Sequence, residues 1–380
     1  MLRAPLPPSP AGPPAPVERR LAIDLLRGLA VVVMVLDHLV GHSWFHMLTL
    51  GTLYITAAEG FVLCSGLALG WRSRERFLQA GHWGAIYPVL RRTLVVWGCA
   101  SGSLLAVGTL AMLVPGAGRP AFTDAPPAWG ELARAALSLQ LAPPLLDILP
   151  MYVGLLGLTP LLIAGCARGH WPFLVLASLL AWGWNWCDPY ALSTPPLDRD
   201  GRTYFSLASW QIIYVGGFLV AWYGESLKRR WAWVPPHGWW LSLAVIGLSL
   251  AVASFHDSDV RSWPLEAPER ATWLAATDRS LLGPIRLLAV MTYFPLLSAA
   301  LSWLTGFPST HWLHEGLLLL GRNALLLYML HLPLVLFWSQ AIAPWLGGRV
   351  WLTSLGQAAA LLLLWGLVRQ RHRYRARAGG

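Results

Sequence analysis

The chain has 380 residues, 56% of them hydrophobic and 12% charged, with a mean hydropathy of +0.52. A soluble domain carries roughly twice that charge, and apolar runs of about 20 residues recur along the whole length, so composition excludes a soluble globular enzyme. It predicts an all-α, polytopic transmembrane helix bundle in one integral domain. The net charge of +10 does not imply nucleic acid, because the basic residues sit in short clusters between apolar runs, as the positive-inside rule distributes them. The four cysteines, Cys64, Cys99, Cys166 and Cys187, contain no CxxC pair, so neither a disulfide framework nor a zinc site is implied.

Residues 1–18 form a proline-rich segment, predicted as a disordered cytoplasmic tail rather than a signal peptide. Arg19 and Arg20 place that end in the cytoplasm. The first span, Arg20–Val40, carries Asp24, Arg27, Asp37 and His38. Charge inside a span is expensive and marks function by default. Arg27 and His38 lie eleven residues apart, which returns within about 20° of one helix face with a rise of about 16 Å. One stripe thus holds a cation near the inner end and an imidazole deep in the membrane. The bland alternative is that Asp24 and Arg27 snorkel and His38 is interfacial.

The second span, about 48–71, contains Glu59 beside Gly60, with Ser65 and Gly66 farther along. A buried glutamate needs a partner, and the Arg27/His38 stripe is the expected one. Residues 72–92 read as an amphipathic cytoplasmic segment. The third span, about 93–114, leads to an outside loop with a short helix near 128–140. The fourth and fifth spans are about 147–166 and 171–187. An outside loop with Asp188, Asp198, Arg199, Asp200 and Arg202 precedes the sixth, about 208–226. The seventh, about 237–255, and a charged loop, 256–280, lead to the eighth, about 281–304, with Arg286 just inside. The ninth, about 316–338, contains Arg322, Asn323, Tyr328 and His331. The tenth, about 351–368, closes the integral domain, 19–368, and 369–380 is a basic cytoplasmic tail. Ten spans put both termini in the cytoplasm, and most of the 28 lysines and arginines then fall on the inside.

Arg27, ten residues, then His38 resembles the signature of the acyltransferase-3 superfamily of membrane acyltransferases. Longer stretches look specifically like the OpgC family, which succinylates osmoregulated periplasmic glucans: DLLRGLAVVVMVLDH (24–38), AAEGFVLCSG (57–66), DILPMYVGLL (147–156), SWQIIYVGG (209–217), DRSLLGPIRLLAV (278–290) and LGRNALLLYMLHLPLVLF (320–337). They occur in family order over nearly the full chain. The chain departs from the family pattern at Gly60, at Ala289-Val290 and at Ser206-Leu207. The resemblance implies a multi-pass protein of the bacterial inner membrane, a cytoplasmic acyl-CoA donor (succinyl-CoA or acetyl-CoA) and a glycan acceptor on the far side. No metal and no nucleic-acid partner are expected.

Acyl transfer from a thioester to a hydroxyl needs a base, oxyanion stabilisation and positioning of both substrates. His38 is the natural base, with an acyl-histidine intermediate as the alternative. Asp37 or Glu59 would orient its ring; Asp37 points about 100° away on the helix, which favours Glu59. Arg27 suits the phosphates or carboxylate of an acyl-CoA, and Arg322 and Asn323 would add donor contacts. Arg286 would meet the acceptor or a second carboxylate, and Asp147, Trp210 and Gln211 lie in family stretches on the acceptor side. His331 reads as a packing residue, and His42 and His46 as loop residues. The competing functions are an N-acetyltransferase of amino sugars and a non-enzymatic transporter or flippase, in which the polar stripe is a substrate path. No GxxxxGK[ST] loop, Rossmann fingerprint or zinc-binding His-Glu-x-x-His motif appears.

Overall fold

The computed structural model describes residues 17–45, 54–114, 127–141, 143–188, 205–230, 236–262, 268–304 and 306–378, with the backbone alone for 17–20, 228–230, 236–239, 255–262 and 375–378. His46, Asp198, Arg199, Asp200 and Arg202, and the proline-rich stretch up to residue 16, lie outside the described residues. The described residues contain helices and no strand. In chain order the helices are α1 (Val17–His38), α2 (Ala57–Leu113), α3 (Trp129–Ser138), α4 (Ile148–Ala167), α5 (Trp171–Cys187) and α6 (Leu207–Arg230). There follow α7 (Pro236–Ser262), α8 (Pro268–Thr277), α9 (Pro284–Leu304), α10 (His311–Arg322), α11 (Ala324–Phe337) and α12 (Val350–Ala378). Among the described residues, five segments are long and apolar enough to cross a membrane: Ala57–Leu113, Ile148–Ala167, Pro284–Leu304, Ala324–Leu346 and Val350–Tyr374. The all-helical membrane architecture expected from composition is therefore present.

Two expected boundaries move. The second span, the segment 72–92 and the third span form one helical run, interrupted only where Ala80 leaves helical geometry and Gly81 takes φ 66°, ψ −163°. A side chain at that φ is strained, which is why the break falls on glycine. Ser65 and Arg92 line the same cavity, whereas an unbroken helix would hold them about 40 Å apart, so the run doubles back at Gly81. The expected ninth span is two helices, parted at Asn323 (φ −110°, ψ 23°), with α11 continuing through a π-helical turn at Trp338–Ile342.

Two seams position the site. α1 crosses α10 so closely that a Cβ on Gly28 would lie 2.1 Å from the Leu317 carbonyl oxygen, and one on Gly321 would lie 1.9 Å from that of Asp24. The first arm of α2 meets α6 in the same way, with Gly66 and Gly70 against the carbonyls of Tyr214 and Phe218. Small residues at such crossings let backbones pack where lipid offers no hydrophobic drive. Gly321→Ala is therefore expected to destabilise the protein by about 1–3 kcal/mol, read as a lower melting temperature in detergent. Gly366→Ala, at a glycine with nothing within 4 Å of the added Cβ, is the control expected to melt like wild type.

The buried core has two main lobes. One gathers Val31 and Val35 of α1 and the adjoining Leu39 with Leu327 and Val335 of α11. The other gathers Val62, Met151, Tyr214 and Phe218 from α2, α4 and α6. A cavity of about 320 Å³ is lined from both, with Met34 and Val96 from the first and Ala58 and Phe205 from or against the second.

Candidate functional site

The stripe read on the first helix faces this cavity: Arg27, Met34, Asp37 and His38 all line it. The periodicity of α1 sets their order, so Arg27 and His38 mark two ends about 16 Å apart. At the Arg27 end stand Arg92 from the second arm of α2, and Ser65 and Tyr152, whose hydroxyls bond each other at 3.0 Å. Arg27 reaches Asp24 at 3.4 Å and donates to the Cys64 carbonyl at 3.3 Å. The charges of Arg27 and Arg92 act on one another and on Tyr152. At the His38 end stand Asp147 at the start of α4, Tyr328 of α11, and Arg279 from the turn before α9. Arg279 acts electrostatically on both His38 and Asp147.

His38 is held by another histidine. Its Nδ1 lies 3.0 Å from Nε2 of the fully buried His331, with the two rings stacked at 5.2 Å. Nδ1 of His331 bonds the Tyr328 carbonyl. A carbonyl only accepts, so His331 donates through Nδ1, and its Nε2 in the neutral ring is an acceptor. His38 then donates through Nδ1, which leaves the lone pair on its Nε2. The chain of bonds fixes the tautomer that a general base needs.

Unusual backbone occurs on the cavity wall and beyond it. Leu145 lines the cavity at φ 75°, and its carbonyl accepts from the Tyr328 hydroxyl. Tyr54 (φ 56°) offers its carbonyl to Arg286, and Leu282 (φ 48°) offers its own to Trp182. Bulky residues in the left-handed region are strained and persist only where surroundings over-determine them. Here a side chain holds each of the three carbonyls. The Leu145 turn carries Asp147 onto the cavity wall.

The other expected site residues lie elsewhere. Glu59 is completely buried and does not line the cavity. It accepts from the Thr56 backbone at 2.9 Å and from the Thr56 hydroxyl, closing a capping box at the start of α2, and pairs with Arg286 at 3.0 Å. The expected link from Glu59 to the Arg27/His38 stripe is thus replaced by one to α9. Arg286 also donates to the Thr277 carbonyl at 2.7 Å, so it fastens α2, α8 and α9 together away from the cavity. Arg322 is exposed and 3.4 Å from Asp24, and Asn323 bonds the Leu319 carbonyl at the break between α10 and α11; neither lines the cavity. Gln211 spends its amide on Ser178 and the Ala208 carbonyl, joining α5 to α6. Trp210 is buried behind Phe205, which does line the cavity. Asp37 lines the cavity next to His38, but the ring partner is His331. Reading by sequence missed His331, Arg92 and Arg279 as site residues. Arg279 and His331 lie in the family stretches 278–290 and 320–337, but helical periodicity singles out none of the three.

The family model described as OpgC protein matches residues 19–376. Neither the curated proteins nor the solved structures include a match to the chain. The match spans nearly the whole length, and the chain belongs to the OpgC family.

Proposed function

From that membership we propose a membrane O-acyltransferase that moves a succinyl group from cytoplasmic succinyl-CoA to a hydroxyl of a glucan beyond the inner membrane. In this reading the chain crosses the membrane ten times with both termini cytoplasmic, so the Arg27 end of the cavity faces the donor's compartment. The observation that carries the proposal is one cavity with two arginines at one end and a tautomerically fixed imidazole at the other.

The chemistry follows from that arrangement. The guanidinium groups of Arg27 and Arg92 suit the phosphates of the donor. The thioester then lies toward His38. The acceptor hydroxyl gives its proton to His38 Nε2 as its oxygen attacks the thioester carbonyl carbon. The resulting oxyanion collapses, the carbon–sulfur bond breaks, and the CoA thiolate takes the proton back from the imidazolium. The products are the succinyl ester and free CoA. Three arginines against Asp37 and Asp147 leave the cavity lining net positive, which favours the oxyanion.

The test is transfer of label from succinyl-CoA to glucan by the purified protein in nanodiscs. Arg27→Ala is expected to raise the KM for succinyl-CoA by about 10- to 100-fold, the worth of one charge-assisted contact, with a smaller change in kcat. Passage of glucan across a sealed vesicle without any acyl-CoA requirement would instead establish a transporter and sink the proposal.

A further inference from the structure

We propose that Arg279 binds the free carboxylate at the far end of the donor's acyl group, so that this site selects half-thioesters of dicarboxylic acids. The inference rests on the acyltransferase reading above and assigns the residue that would set acyl specificity.

Arg279 lines the cavity at the His38 end, yet it makes no hydrogen bond or ion pair among the described residues. Its Nε is buried without a partner. Arg27 and Arg286, by contrast, each contact a carboxylate. The guanidinium lies 5.2 Å from the centre of the Phe205 ring, which itself packs on Trp210 at 4.9 Å. Asp147 shares the cavity and feels the charge of Arg279, but the two form no ion pair. A partly dehydrated guanidinium against aromatic rings is costly without an anion, and its planar fork matches a carboxylate.

The backbone beneath it is fixed. The Asp278 carboxylate accepts from Leu281 N–H at 2.7 Å, and its carbonyl accepts from Gly283 N–H at 2.9 Å. Gly283 sits so close that a Cβ there would lie 2.1 Å from the Ala276 oxygen. Trp182 holds the Leu282 carbonyl at 3.1 Å. The turn therefore presents Arg279 ready-placed, which lowers the ordering cost of binding an anion. Direction agrees as well. With phosphates at Arg27 and Arg92 and the thioester at His38, the acyl chain lies at the end of the cavity that Arg279 shares with His38.

The experiment compares binding of succinyl-CoA and butyryl-CoA to the nanodisc-held protein by calorimetry. The two donors share a four-carbon chain and differ by a carboxylate against a methyl, and no acceptor is needed. Wild type is expected to bind succinyl-CoA about 10- to 100-fold tighter. In Arg279→Gln the ratio is expected to fall to within about threefold, with Arg279→Lys intermediate because it keeps the charge and loses the fork. A ratio that survives in Arg279→Gln overturns the assignment, as does a wild type with no preference. So does equal weakening of both donors in Arg279→Lys together with Arg279→Gln, which would mark a role in the fold or at the thioester. Wild type that binds neither donor overturns the acyltransferase reading itself, and this inference with it.

Discussion

His38→Ala is expected to slow succinyl transfer by about 100- to 10,000-fold, the usual share of a positioned general base, while the protein still binds succinyl-CoA through Arg27 and Arg92. Single-turnover quench with labelled donor measures this directly. His331→Ala should cost less, about 10- to 100-fold, because it removes only the acceptor that fixes the His38 tautomer and ring orientation. The order of the two effects matters. The bond from His38 Nδ1 to His331 Nε2 makes His331 a positioning residue. Its loss leaves an imidazole that still has a lone pair but samples both tautomers and more than one orientation. His331→Gln, which keeps an acceptor on a side chain of similar reach, should recover part of the loss that alanine causes. Label trapped on the wild-type protein and absent from His38→Ala would show the acyl-histidine route instead of direct attack. If His38→Ala transfers as fast as wild type, the base lies elsewhere and the mechanism is wrong even though the family is OpgC.

What the sequence made legible followed the reach of helical periodicity. The Arg27–His38 stripe depends only on residues within one helix, and those residues share the cavity wall in the structure. Apolar runs likewise gave the helices, with α3 falling inside the region expected for a short loop helix. Partnerships across the bundle were a different matter. Glu59 and Arg286 are 227 residues apart and His38 and His331 are 293 apart, and no periodicity fixes which helices stand side by side. Chain order therefore points Glu59 to the preceding helix, whereas its charge is met from α9. Arg279 lies in the family stretch 278–290, but hydropathy makes it one more charge in an outer loop, because the strained Leu282 turn that carries it into the cavity leaves no trace there. The reversal at Gly81 falls inside the expected cytoplasmic segment 72–92, whereas the break at Asn323 escaped for a related reason. That break is a change of backbone conformation within a stretch whose composition does not change.

Arg286→Met is expected to produce the largest loss of stability among single substitutions near the site, about 3–5 kcal/mol. Glu59 is completely buried, and removing Arg286 leaves its charge without a counter-ion. The pair itself contributes little net stability, because both charges were dehydrated to form it; the cost lies in breaking it from one side. Glu59→Gln should be milder, since the amide keeps an acceptor for the Thr56 backbone while dropping the charge. The double variant Glu59→Gln/Arg286→Met should then melt above Arg286→Met alone, which is the coupling a double-mutant cycle reads. Melting in detergent, followed by tryptophan fluorescence, gives all four values. The consequence for function is indirect. Glu59 caps the helix that carries Ala57, Ala58 and Phe61 onto the cavity wall, and Arg286 ties that cap to α8 and α9. Arg286→Met should therefore lose activity in step with unfolding as temperature rises, with the KM for glucan near the wild-type value well below the melting midpoint. A raised glucan KM in a protein that melts like wild type would return Arg286 to the acceptor-binding role its place in the sequence suggested.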